Sequence, residues 1–168
     1  MANARELALQ TLTDILIDGA YSNHALSEQI EKNELTVQDK NFMTELVYGT
    51  LQHEQLLNFY VTPFFNGKVK AWVRILIQMT LYQMLFLDSV PAISEAVKIA
   101  KKRGGQFNGK LVNAILRELT RTPLPSLDTI KDEAERLAVE TSHPLWLIKL
   151  WSKQFGWEKT IQMARANN

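Results

Sequence analysis

Cysteine is absent from this 168-residue sequence, and histidine occurs only three times. Without a thiol, the chain has no thiolate nucleophile, no disulfide and no cysteine-based zinc site. His24, His53 and His143 lie far apart in the sequence, and none is paired with another histidine at the spacing of metal ligands. We therefore expect no metal site in this chain.

Long apolar runs are also missing. No stretch reaches the ~18–20 apolar residues that a membrane-spanning helix needs. The first ten residues, MANARELALQ, contain Glu6 and no apolar core, so they do not have the pattern of a secretory signal. These absences predict no membrane association and a cytoplasmic location.

No segment shows the alternating pattern of a strand, and apolar residues recur at helical spacing nearly throughout. The sequence therefore predicts an all-α fold. We expect Ser22 or Asn23 to cap the second helix and Thr36 to cap the third, with Asp39 completing a weak capping box. The predicted helices cover 2–18, a short segment after 22, 36–62, 69–87, 91–103, 108–121, 128–139, a segment that begins at 142–144, and 157–167.

The clearest boundary is TPLPSL, residues 122–127, where two prolines and a serine follow a continuous helical pattern. We predict a helical domain over 1–125 and a short helical extension over 126–168. The extension carries an aromatic stripe at helical spacing, formed by Trp146, Leu147, Leu150, Trp151 and Phe155.

Charge is distributed unevenly along the chain, although the net charge is only +1. Residues 1–58 hold three cations and nine acids, a net charge of −6, whereas residues 98–121 hold seven cations and one acid, a net charge of +6. A local basic patch is typical of nucleic-acid binding even in a protein of balanced charge. The alternative is a solvated helix face without a partner.

The basic segment contains RGGQFNGKLVNAILRELTR, residues 103–121, which is close to a nucleotide-binding P-loop in its Gly104, Gly109 and Lys110. A P-loop needs a Ser or Thr after the lysine and a preceding strand, but Leu111 follows here and the approach is helical. We interpret the segment as a glycine-broken junction between two basic helices. Lys110 is predicted in the first helical turn, where the helix dipole disfavours a cation unless an anion binds there.

Several ordered motifs resemble one known family. LVNAILRELTR (111–121), ELVYGTLQ (45–52) and NARELALQTLTDILIDGAYSNHAL (3–26) resemble the NusB-like N-terminal domain of bacterial small-subunit rRNA cytosine-5 methyltransferases of the Sun/Fmu family. MTLYQMLFLDSVPAISEAVKIAKK (79–102) and SHPLWLIKLWSKQFGWEKTIQMARANN (142–168) match in the same order. The resemblance covers essentially the whole chain. Relatives often carry arginine at the position of Gln52, so we assign no RNA-binding role there.

The resemblance implies a NusB-like helical bundle tethered to a methyltransferase domain that uses S-adenosylmethionine. Family members attack the cytosine with one cysteine and use a second to release the product. This chain has neither a cysteine nor a glycine fingerprint after a strand, so we expect a piece of a longer enzyme, without catalytic or cofactor-binding residues of its own. The expected partners are small-subunit ribosomal RNA and the enzyme's own C-terminal methyltransferase domain.

The basic segment and the resemblance together predict an RNA-binding site. Arg117 and Arg121 lie four residues apart and share a helix face, and Arg5 is an isolated cation on an acidic helix. The candidate RNA-binding residues are Arg5, Lys101, Lys102, Arg103, Lys110, Asn113, Arg117 and Arg121. Two alternatives stay open: a free-standing antitermination factor that binds RNA with a ribosomal protein, and an interaction module whose basic face contacts the catalytic domain.

Overall fold

The computed structural model describes residues 3–88 and 91–168, and this part of the chain is all-α, as predicted. No strand is present among these residues. The helices are α1 Ala4–Leu16, α2 Ser22–Lys32, α3 Val37–Gln52, α4 Glu54–Val61, α5 Ala71–Tyr82, α6 Ala92–Arg121, α7 Glu133–Thr141, α8 Leu145–Phe155 and α9 Trp157–Ala166.

Side-chain caps start only some of these helices. The Thr36 hydroxyl accepts a hydrogen bond from the Asp39 backbone N–H at 3.1 Å, which confirms the predicted cap of α3. The predicted cap of α2 is wrong, because α2 begins after Tyr21 and no side chain caps it. Asn3 caps α1 through the Glu6 backbone N–H, which satisfies a donor that would otherwise lack a helical partner.

The predicted helix over 36–62 is divided in the structure. His53 has a non-helical backbone (φ −110°, ψ 20°) and separates α3 from α4. Its ring stacks on Phe86 with the centroids 4.2 Å apart, and burial lowers the pKa of the imidazole. Pro63 then lies in a short 3₁₀ turn, Thr62–Phe64, after α4. The helix predicted over 69–87 begins at Ala71 and continues as a π-helical turn, Gln83–Leu87.

Helix α6 contains the predicted glycine break. Gly105 has φ 81° and ψ −176°, a conformation that is essentially restricted to glycine, so α6 consists of a first segment, 92–104, and a second segment, 106–121. The second segment therefore starts two residues earlier than predicted. Pro91 precedes the first segment, where its missing N–H costs no helical hydrogen bond.

The main core lies between α1, α3, α5 and α6, and its centre includes Leu12, Leu46, Leu76 and Leu116, all inaccessible to solvent. Helices α3 and α5 approach closely at Gly49, where the ring of Tyr82 occupies the space of a side chain. The Tyr82 hydroxyl of α5 donates to the Glu45 carboxylate of α3, one turn before Gly49, at 2.6 Å. A residue larger than glycine at this crossing would displace the Tyr82 ring.

Helices α7 to α9 form a second, smaller core of Leu137, Ala138, Ile148 and Ala164. This extension packs on α4 of the bundle. The Gln55 amide donates to the His143 carbonyl at 2.8 Å, and the Leu56 backbone N–H donates to the Ser142 hydroxyl at 3.4 Å. The helices predicted over 128–139 and 157–167 correspond to α7 and α9, whereas a boundary at 125/126 stays a prediction.

Candidate nucleic-acid interface

The break in α6 folds its two segments against each other and creates a basic surface. The aliphatic stem of Lys101, in the first segment, lies against Gly109 in the second, so no side chain fits there. The Asn108 amide donates to the Gly104 carbonyl at 2.7 Å and stabilises the turn. Gly109 is buried, and the group that approaches it closely is Lys101. The space beside Gly109 is therefore filled by the protein itself.

The second segment of α6 carries three cations along one line. Lys110, Arg117 and Arg121 are spaced by seven and four residues, and all three are exposed. This spacing places them on the same face of the helix. Asn113 is exposed at one side of the line, three residues after Lys110. The second segment begins at Gln106, so Lys110 lies in its second turn rather than its first. The helix dipole therefore no longer disfavours a cation at this position.

Two of the predicted cations form ion pairs. Lys102 lies 2.9 Å from Glu6 of α1, and Arg121 lies 2.9 Å from Glu118 on its own helix. Exposed pairs of this kind contribute only about 0–1 kcal/mol, so a phosphate can compete for either cation. Within residues 3–88 and 91–168, Lys101, Lys110 and Arg117 have no carboxylate within 4.0 Å.

Arg103 is held in place by neutral partners. Its guanidinium lies over the Trp72 ring, 5.1 Å from the centroid, and donates to the Gln10 amide oxygen at 3.4 Å. An arginine stacked on an aromatic ring keeps its outward N–H groups available for a phosphate. The positive charge of Arg103 is thus oriented without being neutralised.

Arg5 makes contacts within the bundle. It is half-buried, donates to the Gln83 amide oxygen at 2.9 Å and lies over the Phe42 ring at 4.9 Å. Burial lowers the pKa of its guanidinium, and Glu95 near the start of α6 opposes that shift. The recorded contacts of Arg5 thus join α1 to α3 and to the turn after α5.

Sequence reasoning missed a groove beside the cationic line. The groove has a volume of about 650 Å³ and lies between the 3₁₀ turn after α4 and the second segment of α6. Phe64, Val69 and Leu111 supply apolar walls, whereas Asn66 and Lys68 supply polar and charged groups. The signal in the sequence was NGKVK, residues 66–70, but only the fold shows that this loop reaches α6.

We call the exposed cations Lys68, Lys101, Arg103, Lys110 and Arg117, with the ion-paired Lys102 and Arg121, the basic surface. Its acidic neighbours are Glu6 and Glu118, and each is bound to one of these cations. Net positive charge on a surface with free lysine and arginine head groups fits an anionic polymer. The role of these residues in RNA binding stays a prediction.

The fold and this surface define an all-helical bundle with a basic face built around a broken helix. The model of the NusB family matches residues 2–121. The chain belongs to the NusB family.

Two relatives show how far the similarity extends. The "Probable ribosomal RNA small subunit methyltransferase B" of Bacillus subtilis is 44% identical over 168 residues, which is 97% of this chain and 38% of that protein. The "Transcription antitermination protein NusB" of Shouchella clausii is 32% identical over 113 residues, which is 63% of this chain and 79% of that protein. The chain thus spans less than half the length of the methyltransferase that it matches.

A solved structure has the same fold. The "Crystal Structure of Antitermination Factors NusB and NusE in complex with dsRNA" contains a chain that superposes with a TM-score of 0.65 at 20% identity and covers 70% of this chain and 93% of its own. At that identity the likeness establishes the shared bundle.

The described residues contain neither a membrane-spanning helix nor a cluster of metal ligands. None of the helices in 3–88 and 91–168 is long and apolar enough to cross a membrane. In the same residues, no group of three or more histidine, aspartate or glutamate side chains is arranged to hold a metal ion.

Proposed function

We propose that this chain is the RNA-binding and positioning domain of a small-subunit rRNA cytosine-5 methyltransferase. The observation that carries the proposal is the basic surface, where Lys101, Lys110 and Arg117 have no carboxylate within 4.0 Å in the described part of the chain. A lysine or arginine that has no ion pair binds a phosphate most readily, because no existing pair has to be broken first. The domain would hold ribosomal RNA while a separate catalytic domain reacts with the cytosine.

The extent of similarity favours a methyltransferase over a free-standing antitermination factor. The methyltransferase of Bacillus subtilis matches 97% of the chain, including the extension, whereas the NusB protein of Shouchella clausii matches 63%. The NusB family model likewise stops at residue 121. Most of residues 122–168 are therefore matched by the methyltransferase, and all of them lie outside the family model.

Catalysis would need groups that this chain does not supply. Methylation at cytosine C5 requires a thiolate, and the sequence has no cysteine. S-adenosylmethionine would supply the methyl group, but the described residues contain no strand and hence no strand–glycine loop–helix site for it. We assign the cofactor and both cysteines to the catalytic domain of the parent enzyme, which we expect to act in the cytoplasm.

The test measures RNA binding by fluorescence anisotropy, with hairpin fragments of small-subunit rRNA at two salt concentrations. The variant Lys110→Ala/Arg117→Ala/Arg121→Ala is expected to bind at least tenfold more weakly. Each lost phosphate contact lowers the log–log salt slope by about 0.7 on single strands, so the slope should become shallower by about 2.

The matched control variant removes three positive charges from other parts of the surface. Lys40→Ala/Lys131→Ala/Lys159→Ala neutralises three exposed lysines outside the basic surface. We expect this control to keep both the affinity and most of the salt slope of the unmodified chain. Equal losses in the two triple variants would mean that the site assignment is wrong.

One observation supports a second role in docking the catalytic domain. Trp146 and Leu150 lie one turn apart on α8 and are 66% and 40% exposed, and Phe155 ends the same helix at 49%. Cross-linking of a full-length relative on rRNA separates the two roles. RNA adducts in 101–121 support the RNA-binding role, and protein cross-links from α8 to the catalytic domain support docking.

A further inference from the structure

Phe107 is exposed at the break in α6. It is 75% exposed, and the other six phenylalanines of the chain are all less exposed. A phenylalanine side chain left in water forgoes the burial that would stabilise the fold. The neighbouring residues Asn108 and Gly109 are buried, so the backbone turns the Phe107 ring outward while it holds its neighbours inside.

The ring lies between cations and an apolar groove. Lys110 follows Phe107 by one helical turn, which places the two side chains next to each other on the helix surface. Phe107 also lines the groove of about 650 Å³, together with Phe64, Leu111 and Lys68. An aromatic face is thus flanked by groups that bind phosphate and by a space that admits a planar group.

We propose that Phe107 stacks on an unpaired nucleobase, which it holds at the mouth of this groove. Lys68 and Lys110 would bind the phosphates on either side of that nucleotide, and the Asn66 amide would lie within reach of its base edge. The proposal rests on the proposed RNA-binding function and adds selectivity to it. Bases inside a duplex are already stacked on one another, so the site would prefer single-stranded loops and bulges.

Charge favours RNA over a protein segment as the occupant. The carboxylate that lines the groove, Glu118, is hydrogen-bonded to Arg121 and to the Thr122 hydroxyl. Lys68 lines the same groove as Phe107, and Lys110 lies one helical turn after it, so two positive charges are close to the ring. A basic surface interleaved with an exposed aromatic side chain is the arrangement by which proteins bind single-stranded nucleic acid.

The test compares Phe107→Leu and Phe107→Trp with the unmodified chain, by anisotropy on two RNAs. One RNA carries an unpaired loop, and the other is fully paired with the same stem. Phe107→Leu is expected to bind the looped RNA five- to a hundredfold more weakly and the paired RNA unchanged, while Phe107→Trp keeps its affinity for both. The salt slope should stay the same in all three proteins, because no cation is removed.

The matched control is Tyr21→Leu, which removes an aromatic ring that is 86% exposed in the acidic part of the chain. It should leave binding to both RNAs unchanged, and circular dichroism should show all variants folded. If Phe107→Leu binds the looped RNA as tightly as the unmodified chain does, the stacking assignment is wrong although RNA binding stands. If the unmodified chain binds neither RNA, the proposed function fails as well.

A protein occupant gives a different result. If Phe107→Leu keeps full RNA affinity but weakens the association of the chain with a catalytic domain from the homologous methyltransferase, the groove is a protein contact. That outcome would overturn the nucleobase assignment and leave the basic surface as the RNA site.

Discussion

Gly49 sets the distance between two core helices. A Cβ atom at this position would overlap the Tyr82 ring, whose hydroxyl is bound to Glu45. Alanine is the better helix former by about 1 kcal/mol, so helix propensity alone predicts that Gly49→Ala stabilises the protein. Overpacking of a dense core costs about 1–3 kcal/mol, and here it acts on a buried, hydrogen-bonded ring.

We therefore predict that Gly49→Ala lowers the free energy of unfolding by about 1–2 kcal/mol, as measured by urea denaturation. Ser27→Ala, at an exposed position of α2, serves as the control and should stay within about 0.5 kcal/mol of the unmodified chain. A gain in stability in Gly49→Ala would show that Tyr82 moves aside freely and that the close approach of α3 and α5 is not required.

At the level of whole elements, the break in α6 organises the basic surface. Gly105 (φ 81°, ψ −176°) allows Lys101 to lie against Gly109, and the adjoining Gly104 contacts Trp72. Alanine at 105 would be strained by about 1–3 kcal/mol in this conformation. The chain would relieve that strain by straightening α6, which separates Lys101 from Gly109.

The predicted outcome for Gly105→Ala is a loss of stability of at least about 1 kcal/mol together with weaker RNA binding. Gln106→Ala, at the exposed neighbouring residue, should change neither quantity. Unfolding in urea and anisotropy on hairpin RNA measure the two effects in the same preparations. If both variants behave like the unmodified chain, the break does not position the cations.

The elements also show what the sequence alone could predict. Helical periodicity and the double glycine were enough for the all-α fold and for the break at Gly105, because both are local properties. The division of the third predicted helix at His53 was missed, because it accompanies a stack on Phe86, more than thirty residues away. The contact of Arg5 with Gln83 could not be predicted either, because it joins residues 78 positions apart and depends on tertiary packing.

In the basic surface, too, features within one helix could be predicted from the sequence, whereas contacts between distant segments could not. The line of Lys110, Arg117 and Arg121 follows from spacing within one helix. Lys68 and Phe64 reach the same surface only because the turn after α4 packs beside α6, which no periodicity encodes.

In the molecule as a whole, the extension depends on the bundle. The core of the extension contains four buried apolar residues. The extension has ~40 residues, a length that rarely folds without a partner. The contacts from Gln55 to His143 and from Leu56 to Ser142 attach it to α4. We expect the bundle and the extension to unfold together.

The tryptophans allow this cooperativity to be measured. Trp72 belongs to the bundle, whereas Trp146, Trp151 and Trp157 lie in the extension. In the variant Trp72→Phe, fluorescence reports on the extension, and far-ultraviolet circular dichroism reports on all helices. The two urea transitions should coincide, because two-state unfolding gives the same midpoint for every probe. Gln55→Ala should shift both midpoints together to lower urea. A fluorescence transition that precedes the loss of ellipticity would show that the extension is an independent and weaker unit.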